Sequence, residues 1–260
     1  MDTVKLYGKF LAIHLKSAMA YRGSFLLSCL GAVLVTTSVF LGVVFLMARF
    51  ETIQGYTLPQ LTLGFAVILM ATSLAECFAR GLDSFSQVLA QAQFDRILVR
   101  PRSLLFQLLC QDMRPTMLSR VLQAIVMLLW AVRSGAVEWT AAKALVLVLM
   151  ILCGAAVFFG LFLVNATLCF FTTEGLEVMN IFTDGPREYG KYPFGVYGKP
   201  VLLVLTFLVP LALVQHWPLQ YLLDRGPGWY GLLPVVSLLF LLPCWGLWRL
   251  GVRHYRSTGS

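Results

Sequence analysis

Long apolar stretches alternate with short polar ones along most of the chain. Six apolar stretches approach the length that an α-helix needs to cross the hydrocarbon core of a bilayer. They lie at about residues 25–47, 57–79, 117–132, 141–171, 200–217 and 232–250. The fourth is long enough to tilt or to extend beyond the bilayer, and Pro210 should break the fifth. The pattern predicts an all-α fold, a polytopic membrane protein with six transmembrane helices in one domain, residues 1–260.

The stretch before the first span is basic and amphipathic. In residues 1–22, Lys5, Lys9 and Lys16 share one helical face and apolar residues share another. This pattern is typical of a helix that lies in the membrane interface with its lysines towards anionic headgroups. The apolar run after Arg22 is too long for a signal peptide and lacks a convincing cleavage site, so we expect an interfacial helix instead.

The longest polar stretch separates the second and third spans. It carries six arginines between Arg80 and Arg120, with apolar residues at steps of three and four. Pro101 ends one helix and suits the first position of the next. We interpret residues 80–116, here called the arginine loop, as cytoplasmic helices that lie along the membrane and contact a partner protein. The alternative is a charged loop held near anionic lipid headgroups.

Composition agrees with a membrane protein and argues against a soluble one. The chain is 59% hydrophobic and 12% charged, with a mean hydropathy of +0.81. Soluble domains carry about 25% charged residues. The six cysteines are scattered without CxxC spacing and there are three histidines, so a metal or redox site is not indicated.

The positive charges predict the orientation of the spans. With the N-terminus inside, sixteen of the 20 lysines and arginines fall in inner segments and four in outer ones. This asymmetry follows the positive-inside rule and places both termini in the cytoplasm. The net charge of +8 is thereby explained, and nucleic acid need not be a partner. We expect a multi-pass protein of the cell (inner) membrane.

Polar residues within the spans are few. Glu76 stands four residues before Arg80, which favours an interfacial ion pair over a proton relay. Asn165 and Thr167 lie in the fourth span, where a helix-to-helix hydrogen bond and a place on the translocation path are both open. The charges between Glu174 and Tyr192 are too many for hydrocarbon, so this stretch should be a structured cytoplasmic or interfacial segment, not a seventh span.

Known catalytic motifs are missing from the sequence. It has no G-x-x-x-x-G-K-[ST] phosphate loop, no H-E-x-x-H and no G-x-S-x-G. We therefore predict no catalytic residues, no metal site and no enzymatic activity in this chain. The few intramembrane charges also argue against an ion-coupled carrier. A six-span protein with a structured cytoplasmic loop is more typical of a subunit driven from outside.

Three sequence blocks resemble the permease subunits of type 2 ABC exporters, the ABC-2 family transporter proteins. The resemblance covers nearly the whole chain in register, and the order of the blocks is more specific than any one of them. Gln215 and His216 depart from it, since many relatives have Val-Asn there. The blocks are Phe94 to Leu109, Glu174 to Tyr197, and Leu205 to Pro218.

The resemblance implies a transmembrane subunit that forms the translocation path. It would pair with a second permease, identical or related, and with two copies of a cytoplasmic ATPase that bind ATP and Mg²⁺, so this chain needs no cofactor. The arginine loop would contain the coupling helix, and Phe94 and Leu98 are the candidates for its buried anchors. The implied coupling residues are Phe94, Asp95, Arg96, Leu98, Arg100, Pro101 and Arg102. The implied cytoplasmic segment includes Glu174, Glu177, Asn180, Arg187 and Glu188.

Two other classes compete with this interpretation. An importer permease carries an EAA-x3-G-x9-I-x-L-P loop, which Glu76, Gly81, Ile97 and Pro101 imitate loosely. However, Gly81 and Ile97 are too far apart for that pattern, and its EAA core is missing. A membrane-embedded enzyme of lipid metabolism would need catalytic motifs that the sequence lacks. Lipids, lipid-linked glycans, peptides and drugs all remain open as cargo.

Overall fold

The computed structural model describes residues 3–50, 52–91, 93–172 and 177–255. Within these ranges the regular structure is helical, apart from one isolated bridge between Ile53 and Tyr56. The helices are α1 (Thr3–Ala20), α2 (Arg22–Arg49), α3 (Leu58–Asp83), α4 (Phe85–Ala90), α5 (Phe94–Leu98), α6 (Leu104–Gln111), α7 (Leu118–Arg133), α8 (Ala141–Leu168), α9 (Glu177–Thr183), α10 (Pro186–Tyr189), α11 (Lys199–Leu203), α12 (Leu211–Val214), α13 (His216–Leu222), α14 (Leu233–Ser237) and α15 (Leu241–His254). Short 3₁₀ turns precede α7, α11, α14 and α15.

Several of these helices are long and apolar enough to cross a membrane. Five helical stretches in the described part of the chain meet that condition: Arg22–Arg49, Leu58–Ala90, Pro115–Arg133, Ala141–Leu168 and Gly228–His254. A sixth span results if the bent pair Lys199–Leu208 and Leu211–Leu222 is counted as one. The predicted all-α, polytopic membrane fold is confirmed.

The two ends of the bundle are here called the hairpin end and the loop end. The hairpin end is where α2 stops and the tight connection around Gly55 leads into α3. The loop end is the opposite one, where α3 stops at Asp83 and the arginine loop begins. At the hairpin end, the backbone N–H of Thr57 donates to Oε1 of Gln60, and Pro59 occupies the first turn, so α3 has a well-defined start.

The central helix of the bundle is α3. Most of its side chains are buried, and it packs along α7 on one side and α8 on the other. By contrast, α2 fully buries only Ala32, Thr36 and Val43, and many of its apolar side chains, including Leu34, Val35 and Phe45, are exposed. That distribution is typical of a helix facing lipid or a second membrane protein.

The fifth predicted span is not a straight helix. After α11 the chain forms a π-helical turn, Val204–Leu208, then an extended residue, Val209, and α12 starts after Pro210. The two parts meet at 88°. Proline lacks the backbone N–H and its ring collides with the preceding turn, so the predicted break at Pro210 is confirmed and has a physical cause.

Candidate functional site

The arginine loop is packed tightly against the loop end of α3. Gly81 lies so close to α6 that an added Cβ atom would collide with the carbonyl oxygen of Leu108. Leu108 is itself fully buried in the core. Because the contact is between two backbones, α6 has little freedom to move away from α3 without breaking the core.

Phe94, expected to be a buried anchor, lies entirely inside the protein's own core. Its ring contacts those of Tyr255 at 4.7 Å, Phe85 at 5.2 Å and Phe170 at 5.4 Å between centroids. With Trp248 these rings form an aromatic cluster that joins α4, α5, the end of α8 and the end of α15. A partner protein therefore cannot reach Phe94 without opening the core, whereas Leu98, 42% exposed, is accessible.

Asp95 ties α5 to the C-terminal end of the last helix. The hydroxyl of Tyr255 donates to its Oδ1 at 3.0 Å. Burial, together with the neighbouring carboxylate, raises the pKa of Tyr255, so the phenol keeps the proton that it donates. The turn at Pro101 is braced from inside by Gln107, whose Nε2 donates to the carbonyl oxygens of Ile97 and Arg102.

Three of the predicted coupling residues share one exposed cavity. Arg96, Arg100 and Arg102 are all exposed, and their side chains make no ion pair or hydrogen bond within the described ranges. The cavity has a volume of about 410 Å³, and its remaining wall comes from α1 and α6. Other lining residues include Leu6, Phe10 and Phe106. Basic groups over an apolar floor suit an acidic protein surface or a lipid phosphate equally well.

Helix α1 closes this cavity from the side. The hydroxyl of Tyr7 donates to the carbonyl oxygen of Phe78 at 2.8 Å, and a ring nitrogen of His14 lies 3.0 Å from the carbonyl oxygen of Cys110. Burial raises the pKa of Tyr7 to about 12, which keeps its hydroxyl protonated. The helix is thus attached to both α3 and α6.

A polar network lies in the loop-end third of the bundle. Glu76 is 3% exposed and contacts Nη1 of Arg80 at 2.9 Å, which confirms the ion pair predicted from the i,i+4 spacing. Its other oxygen lies 3.2 Å from Nη1 of Arg120 on α7. Arg80 also contacts Asp83 at 3.0 Å and approaches Asp184 at 3.8 Å. Mutual pairing of this kind is what makes buried charges tolerable.

The two candidates for the translocation path occupy different surroundings. Nδ2 of Asn165 donates to Oδ1 of Asp83 at 3.1 Å, so Asn165 joins α8 to the polar network. Thr167 is buried, and its hydroxyl donates to the carbonyl oxygen of Leu163 one turn earlier. Neither residue lines the cavities described here. Their place on the path stays a prediction.

The segment predicted to be cytoplasmic, residues 174–192, runs from the loop end towards the middle of α3 in its described part. Glu174 lies outside the described residues; Glu177 begins α9, and Asn180 caps its end through backbone bonds to residues 184 and 185. Arg187 and Glu188 belong to α10, which packs against α3. The sequence predicted a structured cytoplasmic or interfacial segment, whereas the second half of this segment lies beside the middle of α3.

Gln215 holds the far end of this segment, a role that sequence reasoning missed. It is fully buried, and Nε2 donates to the carbonyl oxygens of Gly190 at 2.8 Å and Gly64 at 3.2 Å. Beside it, the backbone N–H of Gly195 donates to Nδ1 of His216. A lone amide in an apolar span was the available signal, because such groups in hydrocarbon need a partner. Its partners, 25 and 151 residues away, could not be read from the sequence.

No metal centre is formed by the described residues, among which no group of three or more His, Cys, Asp or Glu side chains could hold an ion.

Comparison with protein-family models gives one finding: the model for "ABC-2 family transporter protein" matches residues 33–259. Searches of curated proteins and of solved structures found no match.

Proposed function

Because the chain belongs to the ABC-2 family and is the membrane subunit of an ABC transporter, we propose that it exports its cargo with energy from separate ATPase subunits. Two cytoplasmic ATPase copies would bind ATP and Mg²⁺, and a second permease, identical or related, would complete the translocation path. The chain itself would perform no covalent chemistry.

The charge distribution supports a cytoplasmic loop end. Sixteen of the 20 lysines and arginines fall in sequence segments that are inner ones when the N-terminus is placed inside, and the arginine loop holds the largest group of them. The arginine loop, both termini and the start of α9 would then face the compartment that holds ATP. The proposed location is the cell (inner) membrane, with both termini on the cytoplasmic side.

The observation that carries the proposal is an exposed basic surface on the same short helix and turn as Phe94, which is fixed in the buried aromatic cluster. Arg96, Arg100 and Arg102 lie at the surface, and Leu98 beside them is half-exposed, whereas Phe94 one turn away is locked into the aromatic cluster. A displacement of the surface by an ATPase would therefore pass directly to α8 and α15. A flexible loop would absorb the displacement instead.

Charge reversal tests the proposed contact. We would purify the tagged full-length permease in mild detergent and look for a co-purifying protein with an ATP-binding cassette sequence and vanadate-sensitive ATP hydrolysis. The double variant Arg96→Glu/Arg100→Glu should reduce the recovered ATPase at least about tenfold, since opposite charges become like charges across the interface. The matched control is Arg133→Glu, an exposed arginine at the hairpin end.

The lipid alternative gives a different pattern. If the arginines only hold phospholipid headgroups, Arg96→Lys/Arg100→Lys should behave like wild type, and so should Leu98→Ala. In the proposed interface, Leu98→Ala weakens ATPase recovery because apolar residues near the centre of a contact carry much of its energy. Wild-type recovery of an active ATPase by both the charge-reversal variant and Leu98→Ala would contradict the proposal.

A further inference from the structure

A second cavity borders the polar network and is lined by residues of α2, α3, α7, α10 and the connection before α10. Its volume is about 270 Å³. The lining residues from α2 and α3 are apolar except for the hydroxyl group of Thr36, and most of the others are charged. The lining residues are Val35, Thr36, Val39, Phe65, Arg120, Asp184, Gly185 and Glu188.

The cavity reaches the middle of the bundle. Thr36 lies halfway along the 28-residue helix α2, and Phe65 lies about two turns into α3 from the hairpin end. Gly190, two residues after Glu188, is hydrogen-bonded through Gln215 to the same part of α3. An ionisable group at such a depth is costly, and residues that persist there usually serve transport.

Glu188 is the charged residue of this cavity whose carboxylate has no partner within the described ranges. It is exposed and forms neither an ion pair nor a hydrogen bond there. The other two charged residues are engaged: Arg120 contacts Glu76 at 3.2 Å, and Asp184 approaches Arg80 at 3.8 Å. The described lining therefore carries two acidic groups and one basic group, and the basic one is already paired.

We propose that this cavity is a binding site for cargo that combines a cationic group with an apolar body, and that Glu188 contacts the cation. This inference rests on the proposed transport function and specifies the chemical class of the cargo. Val35, Val39 and Phe65 supply the apolar surface, and the carboxylate supplies the charge. A cargo with an anionic headgroup is disfavoured, because it would face two carboxylates.

The test is a binding measurement that needs no ATPase. Full-length permease in phosphatidylcholine nanodiscs would be dialysed against radiolabelled phenyltrimethylammonium, with empty nanodiscs as the background. We expect saturable binding that the uncharged isostere tert-butylbenzene does not compete for effectively. Glu188→Gln should weaken the binding at least about tenfold by removing one charge-assisted contact. Glu138→Gln, an exposed acid between α7 and α8, is the matched control and should bind like wild type.

A steric pair of variants checks the location independently. Val35→Trp should obstruct the mouth of the cavity and lower probe binding, whereas Leu34→Trp, equally exposed but not part of the lining, should not. Absence of saturable binding by the wild type, or equal binding by wild type and Glu188→Gln, would overturn the inference. Unchanged probe binding with a lower dimer fraction in Glu188→Gln would assign the carboxylate to a contact with a second permease instead. Failure to recover an ATPase would leave this measurement unaffected.

Discussion

At the scale of single residues, Glu76 is a buried carboxylate that needs positively charged partners. It is 3% exposed within an apolar helix and is balanced by one guanidinium from its own helix and one from α7. A buried carboxylate with a missing partner destabilises a protein by about 3–5 kcal/mol, while replacing both members of a pair together can be nearly neutral. The stability of the bundle should therefore depend on the pair, not on either charge alone.

A double-mutant cycle measures this dependence. We expect Arg120→Gln and Glu76→Gln each to lower the free energy of unfolding, and the combined variant to recover part of the loss, with a coupling energy of about 0.5–3 kcal/mol. The measurement is reversible unfolding in mixed micelles. Asp112 and Arg114, a more solvent-accessible pair at 3.7 Å, serve as control and should couple by less than about 1 kcal/mol. Strict additivity for Glu76 and Arg120 would show that the pair adds no stability.

Side-chain contacts within one helix could be predicted from the sequence, whereas contacts between residues far apart in the chain could not. The Glu76–Arg80 pair follows from a separation of four residues on one helix. The bond from Asn165 to Asp83 joins positions 82 residues apart, and nothing in either stretch of sequence selects the other. Phe94 was expected to be a buried anchor of the contact with a partner, whereas it is buried in the protein's own core. Periodicity indicates that a face is apolar and not which protein covers it.

At the scale of elements, α6 packs directly against the backbone of α3 at Gly81, which has no side chain to keep the two helices apart. The backbone of Leu108 fills the space where a Cβ atom at Gly81 would stand. This close approach holds the arginine loop in one position relative to the central helix. The connection matters for the proposed coupling, since a loop that shifts at its base transmits less of any displacement applied at its surface.

Gly81→Ala should therefore loosen the arginine loop without preventing insertion of the spans. We expect a loss of about 1–3 kcal/mol in the free energy of unfolding, as for overpacked cores, and faster proteolysis between Arg96 and Arg102. Gly42→Ala is the control, because nothing lies within 4 Å of a Cβ atom at that position. Identical proteolysis rates for the two variants would mean that the contact does not restrain the loop.

At Pro210 the sequence predicts the break in the fifth span but not the angle between its two parts. Proline chemistry predicts a break there, and the break is present. The angle of 88° and the π-helical turn before it arise from packing: Leu205 and Val209 are buried in the same core as α8 and α15. Neither neighbour is indicated by the local sequence.

For the whole molecule, the first question is which end of the bundle faces the cytoplasm. In whole cells, a membrane-impermeant thiol reagent should label Gln54→Cys and Gly228→Cys at the hairpin end but not Ser86→Cys. Position 228 is suitable because no atom crowds an added side chain there. Native background should be low once Cys29 is replaced by alanine, since the other five cysteines are buried. Labelling at position 86 from outside would invert the topology and remove the basis for an ATPase contact at the loop end.

The hydrogen bonds of Gln215 also impose an order on how the protein is made. Its amide donates to the carbonyl oxygens of Gly64 and Gly190, which precede it in the chain by 151 and 25 residues. The early helices can enter the membrane as they are synthesised, but the bonds through which Gln215 holds residue 190 to α3 can form only after the chain beyond Pro210 has followed. A nascent chain stalled before Gln215 would present residues 177–197 to quality-control proteases without these bonds. Docking of residues 177–197 is therefore completed only after Gln215 has been synthesised, at a stage when the last helix has still to follow.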